Sequence, residues 1–325
     1  MERRTVGTTD LEVTRFGLGT APLGGLYSPV ADEDAFATMQ QAWDDGIRFF
    51  DTAPQYGNGL SERRLGEFLR GKPRADFVIA TKVGRLLRIP PRDEGEDAYY
   101  KGTPPERPVF DFSYDGVMRS FEESLQRLSL DRIDILHIHD PDNHYPEALA
   151  GAYKALDRLR GEKVIKAVGA GMNQSEMLTR FAREGRFDCF LLAGRYTLLE
   201  QRALDEFLPL CLEKRISVFA GGVYNSGLLA NPSAHAKFNY EDADAGLVAR
   251  AQELAAACAR HGVPLKAAAV QFPLHHPAIT AVLIGPRNPT ELADSAGMSK
   301  IDIPRKLWAE LQEHGLVDRR APVPR

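Results

Sequence analysis

Four residues of types that can together move a proton near neutral pH each follow or adjoin a short apolar run. Ile47, Phe49 and Phe50 lead into Asp51. The run at 77–81 leads into Lys82 and the run at 133–138 into His139, while Tyr56 lies five residues past Asp51, between Pro54 and Gly57. A tyrosine, with a reference pKa of about 10, is too weak an acid for this work by itself. A neighbouring ammonium favours the phenolate and brings the value down. An aspartate paired with that lysine fixes its position, and a histidine near the same oxygen can orient a substrate or relay a proton. The set suits proton transfer and contains no group suited to nucleophilic attack. Singly, each residue is ordinary: Asp51 could cap a loop and Lys82 could be a solvated strand-end charge. His137, two residues before His139, is expected on the opposite side of its strand, with one of the pair structural. Four such residues at corresponding strand ends carry far more weight than any one.

The elements that must position them read as alternating strands and helices. Strands are expected at 16–20, at the run ending at Asp51, at the run ending near Lys82, at the run ending at His139, and at 164–168, 187–192, 216–220 and 279–284. Helical spacing lies between them, for example Phe36, Met39 and Trp43, or Val117, Phe121, Leu125 and Leu128. Eight strands at this spacing, with no linker between halves, predict a closed parallel (β/α)8 TIM barrel, with a doubly wound sheet as the competitor. The turn-rich residues 2–15 predict an N-terminal β-hairpin. The whole of 1–325 reads as one domain, in which 84–114, rich in proline and charge and without periodicity, is a long insertion loop. Residues 285–325 read as a C-terminal helix and tail.

Composition narrows the function classes. A formal net charge of −4 in 325 residues gives no reason to expect a nucleic-acid or membrane partner. Cys189, Cys211 and Cys258 form no CxxC pair, which fits reduced thiols in a cytoplasmic protein. The amino terminus has no apolar core of a signal peptide, and no run approaches a membrane span. G-L-G-T-A-P at 17–22 follows a strand, but Pro22 stands where the third glycine of a Rossmann fingerprint belongs.

G-L-G-T at 17–20, G-I-R-F-F-D-T-A-P-Q-Y-G at 46–57, S-E-R-R-L-G at 61–66, T-K-V-G at 81–84 and L-D-R-I-D-I-L-H-I-H-D at 130–140 stand together in this chain. By these segments it resembles the aldo-keto reductases, from its N-terminal hairpin to about Met298. The resemblance implies a metal-free hydride transfer at a nicotinamide, with Tyr56 as proton donor or acceptor, Lys82 and Asp51 tuning it, and His139 orienting the carbonyl or hydroxyl oxygen. It also implies a dinucleotide lying across the barrel mouth. Gly19 and Thr20 would belong to its site, Asn173 would hold the carboxamide, and Gly222, Val223, Ser226 and Leu228 would line the pyrophosphate. Gly285, Arg287, Glu291 and Ser295 would form the adenosine end. This chain departs from the family in G-M-N at 171–173, in Ala193 where a glutamine is common, and in Gly221 where an aromatic often stacks. Glu291 repels a 2′-phosphate and can accept a bond from a bare ribose hydroxyl, which favours NAD. Arg287 could pair with that phosphate, so NADP remains possible.

NAD use favours oxidation. Within the family, the segments at 16–27, 109–120 and 193–201 are most similar to sugar 1-dehydrogenases acting on L-fucose, D-arabinose or L-galactose to give lactones, with pyridoxal 4-dehydrogenases near in motif and a general aldehyde or ketone reductase as a further alternative. Tyr27, Arg85, His144 and Arg195 are candidates for the pocket of a small sugar or aldehyde, or for loop packing. The chain is expected to act as a monomer or homo-oligomer. Two other classes stand beside this reading: a metal-assisted hydrolase using Asp51, His139 and Asp140, and a non-catalytic nucleotide-sensing subunit.

Overall fold

The structure, a computed structural model, describes residues 1–92, 95–233, 235, 237–238 and 241–324. A hairpin of β1 (Arg3–Thr5) and β2 (Glu12–Thr14) precedes β3 (Phe16–Gly19), α1 (Asp32–Asp44), β4 (Phe49–Asp51), α2 (Leu60–Leu69) and β5 (Val78–Val83). Next come β6 (Arg85–Arg88), β7 (Arg107–Phe110), α3 (Tyr114–Leu128), β8 (Ile135–His139), α4 (Tyr145–Glu147) and α5 (Tyr153–Gly161). The chain continues through β9 (Ala167–Met172), α6 (Ser175–Glu184), β10 (Cys189–Ala193), α7 (Phe207–Lys214) and β11 (Ser217–Gly221). It finishes with β12 (Lys237–Phe238), β13 (Glu241–Asp242), α8 (Ala245–Arg260), α9 (Leu265–Gln271), β14 (Ile279–Ile284), α10 (Pro289–Met298) and α11 (Arg305–Glu313).

Strands β3, β4, β5, β8, β9, β10, β11 and β14 close into a parallel barrel in that order, as the alternating pattern predicts. Period-two alternation divides each strand between two cores. Inward residues Phe49, Val78, Ala80, Ile135, Ala167, Cys189, Leu191, Phe219, Ala281 and Leu283 fill the cylinder, and Val6, Leu11 and Val13 of the hairpin segment plug its floor. Outward residues such as Phe50, Ile79, Leu136, Val168 and Val282 pack under the helices. The barrel is thus solid below and open to chemistry only at the carboxyl ends of its strands.

Three expectations are corrected. The fifth barrel strand runs over Ala167–Met172 rather than 164–168: Val164 is exposed, and its N–H donates to Leu159 O at 2.9 Å, closing the end of α5. The excursion at 84–114 is not structureless. β6 and β7 pair antiparallel, with Arg85 opposite Phe110, and an isolated bridge joins Tyr100 to Leu26; Asp93 and Glu94 within it lie outside the described residues. The C-terminal segment carries two helices, α10 and α11, the second anchored by Trp308, which is buried against Phe272 and His275. No helix among the described residues is long and apolar enough to cross a membrane.

Candidate active site

The registers of β4, β5 and β8 bring the predicted residues to one rim. Lys82 lies level with His137 and His139 with Gly171, while Asp51 ends the strand between β3 and β5. Lys82 Nζ donates to Asp51 Oδ1 at 2.7 Å and to Thr52 O at 2.8 Å, and it lies 4.6 Å from the centre of the Tyr56 ring. The His139 ring meets the Tyr56 ring edge-on, centroids 5.9 Å apart. All four residues are therefore gathered, with the ion pair almost wholly removed from water.

Burial governs the electrostatics. It pushes the Asp51 carboxyl above the usual carboxylate range, a shift that the Lys82 ammonium opposes. It pushes His139 well below an ordinary imidazole, helped by the charges of Arg85 and Lys82, so this ring is neutral at pH 7. A neutral ring offers one N–H donor and one acceptor to a ligand. His137 was expected on the far side of its strand. Residues two apart share a face, and His137 indeed points into the cylinder beneath His139, edge-on to Phe219 at 6.1 Å. Both its ring nitrogens are buried without partners among the described residues, and its pKa is pushed down to about 3, first by burial and then by Lys82. Gly169 makes room for it: a Cβ there would come within 2.2 Å of His137 Nδ1.

The loop carrying Tyr56 is fixed by close backbone packing. A Cβ on Gly57, whose φ is +62°, would come within 2.2 Å of Gly24 O, and one on Gly24 within 2.8 Å of the Tyr56 carbonyl carbon. Thr20 ties the same region together: its hydroxyl donates to Asp51 O at 2.9 Å and accepts from Ser61 Oγ at 2.7 Å. The excursion completes the wall. Tyr100 packs 6.3 Å from Tyr56, centre to centre, and Asn58 Nδ2 donates to Thr103 Oγ1 at 3.2 Å. Nothing in the unpatterned segment around Tyr100 marked it as a neighbour of Tyr56.

Of the residues proposed for the dinucleotide, Asn173 follows β9 directly and its half-buried amide has no hydrogen-bond partner among the described residues. The turn after β11 has left-handed backbone at Gly222, Asn225, Ser226 and Gly227. The N–H groups of Gly222, Val223 and Ser226 find no acceptor among the described residues, an arrangement that suits an anion. Leu228 differs from these three: its side chain is buried and its N–H is given to Asn225 O at 3.1 Å. Gly19 and Gly285 sit at the ends of β3 and β14, where a Cβ on Gly285 would press on Pro22 at 3.2 Å. Ser295 is buried on α10. Arg287 and Glu291 are joined as an ion pair, Nη2 to Oε1 at 2.7 Å and Nε to the same oxygen at 3.0 Å. These bare backbone donors, glycines and an open amide fit a dinucleotide.

The substrate candidates divide. Arg85 is buried, donates to Asp140 Oδ2 at 3.1 Å and stacks over Phe110. His144 packs against both rings of the stacked Phe110–Phe112 pair, at 5.0 and 5.3 Å. Tyr27 is exposed with φ of +67°, and Arg195 lies 5.8 Å from the Phe238 ring. Asp140 was not proposed for this pocket from the sequence, yet its Oδ2 lies 3.4 Å from His139 Nε2.

An eight-stranded parallel barrel gathering tyrosine, lysine, aspartate and histidine at its mouth is the frame of a class of barrel oxidoreductases. The chain belongs to that class's Aldo/keto reductase family, whose sequence pattern matches residues 15–315. It is accordingly an oxidoreductase of a family that uses nicotinamide cofactors. It is 45% identical to a D-threo-aldose 1-dehydrogenase from a Pseudomonas species, over 94% of this chain and 95% of that one. It is 44% identical to a pyridoxal 4-dehydrogenase from Microbacterium luteolum, over 97% and 98%. In shape it matches a glycerol dehydrogenase from Gluconobacter oxydans with a TM-score of 0.76 at 24% identity, covering 99% of this chain and 97% of that one, a likeness of fold.

Proposed function

We propose that the protein oxidises the C1 hydroxyl of an aldose such as L-fucose, D-arabinose or L-galactose to the lactone, using NAD, with Tyr56 as the base. The observation that carries this reading is the buried Asp51–Lys82 pair lying against the Tyr56 ring, with neutral His139 beside it. The ammonium stabilises the phenolate, which takes the proton from the C1 hydroxyl. His139 donates from its N–H to the same oxygen and holds it toward Tyr56. Asp51 keeps Lys82 in place as the oxygen's charge changes. A nicotinamide held beside Tyr56 would supply the hydride acceptor for this oxidation. Asn173 would hold its carboxamide, the N–H groups of Gly222, Val223 and Ser226 its pyrophosphate, and the rim from Gly285 to Ser295 its adenosine.

NAD is favoured over NADP because Arg287 is already engaged by Glu291, and Lys266, the cation on the neighbouring helix, by Asp294. A 2′-phosphate would meet a guanidinium whose Nε and Nη2 are already taken, with the Glu291 carboxylate beside it. Pyridoxal is the second reading, supported by the relative that bears its name. An aldose and pyridoxal each close on themselves as a cyclic hemiacetal, so one site could present either carbinol carbon to the same base.

The test is absorbance at the reduced nicotinamide band with L-fucose, D-arabinose, L-galactose and pyridoxal, each with NAD and with NADP. Faster turnover of a sugar with NAD supports the proposal. Turnover of pyridoxal alone transfers it to the second reading, and reduction of NAD(P) by none of them refutes both.

A further inference from the structure

Asp140 immediately follows His139, and its setting is unusual in three respects. Its backbone has φ of +40°, a region that a side chain other than glycine adopts at a cost and that recurs where function requires it. Its N–H donates to Gly171 O at 3.0 Å, which locks that conformation to the end of β9. Its carboxylate is held from one side by Arg85 Nη2 at 3.1 Å and lies 3.4 Å from His139 Nε2. Arg85 itself is immobilised: it is buried, stacked over Phe110 at 4.8 Å, and its backbone carbonyl accepts from Ser120 Oγ.

Arg85 and His139 are nearly sealed, whereas the Asp140 side chain is 35% exposed. The carboxylate is thus the open member of the trio, and a fixed carboxylate with spare lone pairs accepts hydroxyl donors strongly. An oxygen hydrogen-bonded to His139 Nε2 has, within reach of Asp140, the place where a hydroxyl on the adjoining carbon would fall. Nε2 and Oδ2, 3.4 Å apart, are close enough for one to bond the oxygen on the reacting carbon and the other a hydroxyl on the next carbon.

Resting on the aldose reading above, we propose that Asp140, held by Arg85, is a specificity-determining residue that accepts a hydrogen bond from the C2 hydroxyl and so selects substrates hydroxylated beside the reacting carbon. A carboxylate set there and left unpaired by a substrate lacking that group penalises the poorer substrate as well as rewarding the better one.

The experiment compares kcat/KM for D-arabinose and 2-deoxy-D-ribose, which differ only in the C2 hydroxyl, in the wild type, Asp140→Gly and Asp140→Asn. Glycine accepts the left-handed backbone without strain, and asparagine tolerates it while keeping the shape. The wild-type preference for D-arabinose should shrink at least ten-fold in Asp140→Gly and several-fold in Asp140→Asn. The loss should fall on D-arabinose, while the deoxygenated sugar, freed of the unpaired carboxylate, should not lose in proportion. If Asp140 acts only by orienting His139, both substrates lose equally and the preference persists; that result overturns the inference and leaves the aldose reading standing. A wild type that oxidises the two sugars equally well overturns it too. Absence of aldose turnover in the wild type overturns the aldose reading and this inference with it.

Discussion

Replacing His137 by leucine should flatten the acid limb of the stability curve. His137 is fully buried with both nitrogens unpartnered among the described residues, and its pKa falls from 6.5 to about 3. The unfolded chain therefore binds a proton at this residue between about pH 3 and pH 6.5 that the native chain refuses. Stability must fall as pH falls through that window, at up to about 1.4 kcal/mol per pH unit. From pH 7.5 to pH 5 the single residue costs about 2 kcal/mol. The same direction holds for His139 and for His276, which is lowered to about 4. Asp51 and Asp140, both raised, work oppositely: their native forms hold protons more tightly and recover stability on acidification. The comparison of wild type with His137→Leu cancels these shared contributions. Urea unfolding at several pH values should give curves that diverge by about 2 kcal/mol toward pH 5. At pH 8 the variant should be no less stable, because an unpartnered buried polar group is replaced by an apolar one of similar size. Parallel curves from pH 7.5 to pH 5 would mean that His137 titrates natively as it does when unfolded, refuting the burial argument.

Other perturbations probe other parts of the rim. Asp51→Asn and Lys82→Met should each cost about 3–5 kcal/mol by stranding one buried charge; the double variant should be less destabilised than the sum, as a denaturation cycle will reveal. Gly24→Ala should push the Tyr56 backbone, 2.8 Å from the new methyl, lowering kcat while circular dichroism stays native. Glu291→Gln should release Arg287 and raise the ratio of kcat/KM for NADP over NAD roughly ten-fold, since a guanidinium pairs strongly with phosphate.

The barrel and its rim were legible because strand periodicity and strand ends are local properties. Asp51, Lys82 and His139 each terminate an apolar run, and a parallel barrel has only one place to put such residues. The side of His137 was equally legible from period two, and was misassigned. The fifth strand was placed early because its interior-facing residues include Gly169 and Gly171, which lack strand character. Gly169 is glycine because a Cβ there would come within 2.2 Å of His137 Nδ1, a constraint imposed by a strand distant in sequence. The hairpin in the excursion was invisible for a different reason. Val109 and Phe110 are half-exposed and Pro108 interrupts the strand pattern, so neither alternation nor burial marks it. Tyr100 and Asp140 reach the site through tertiary docking and a left-handed turn, for which a single sequence carries no period.

The central claim is that the Tyr56 phenol moves the proton. Tyr56→Phe removes one oxygen and keeps the ring over Lys82, so nicotinamide binding, followed by quenching of protein fluorescence on titration with NADH, should match the wild type. In the same preparation, formation of NADH from NAD and the preferred sugar should fall by at least a hundred-fold, the usual scale for a lost general base. Wild-type turnover in that variant contradicts the account.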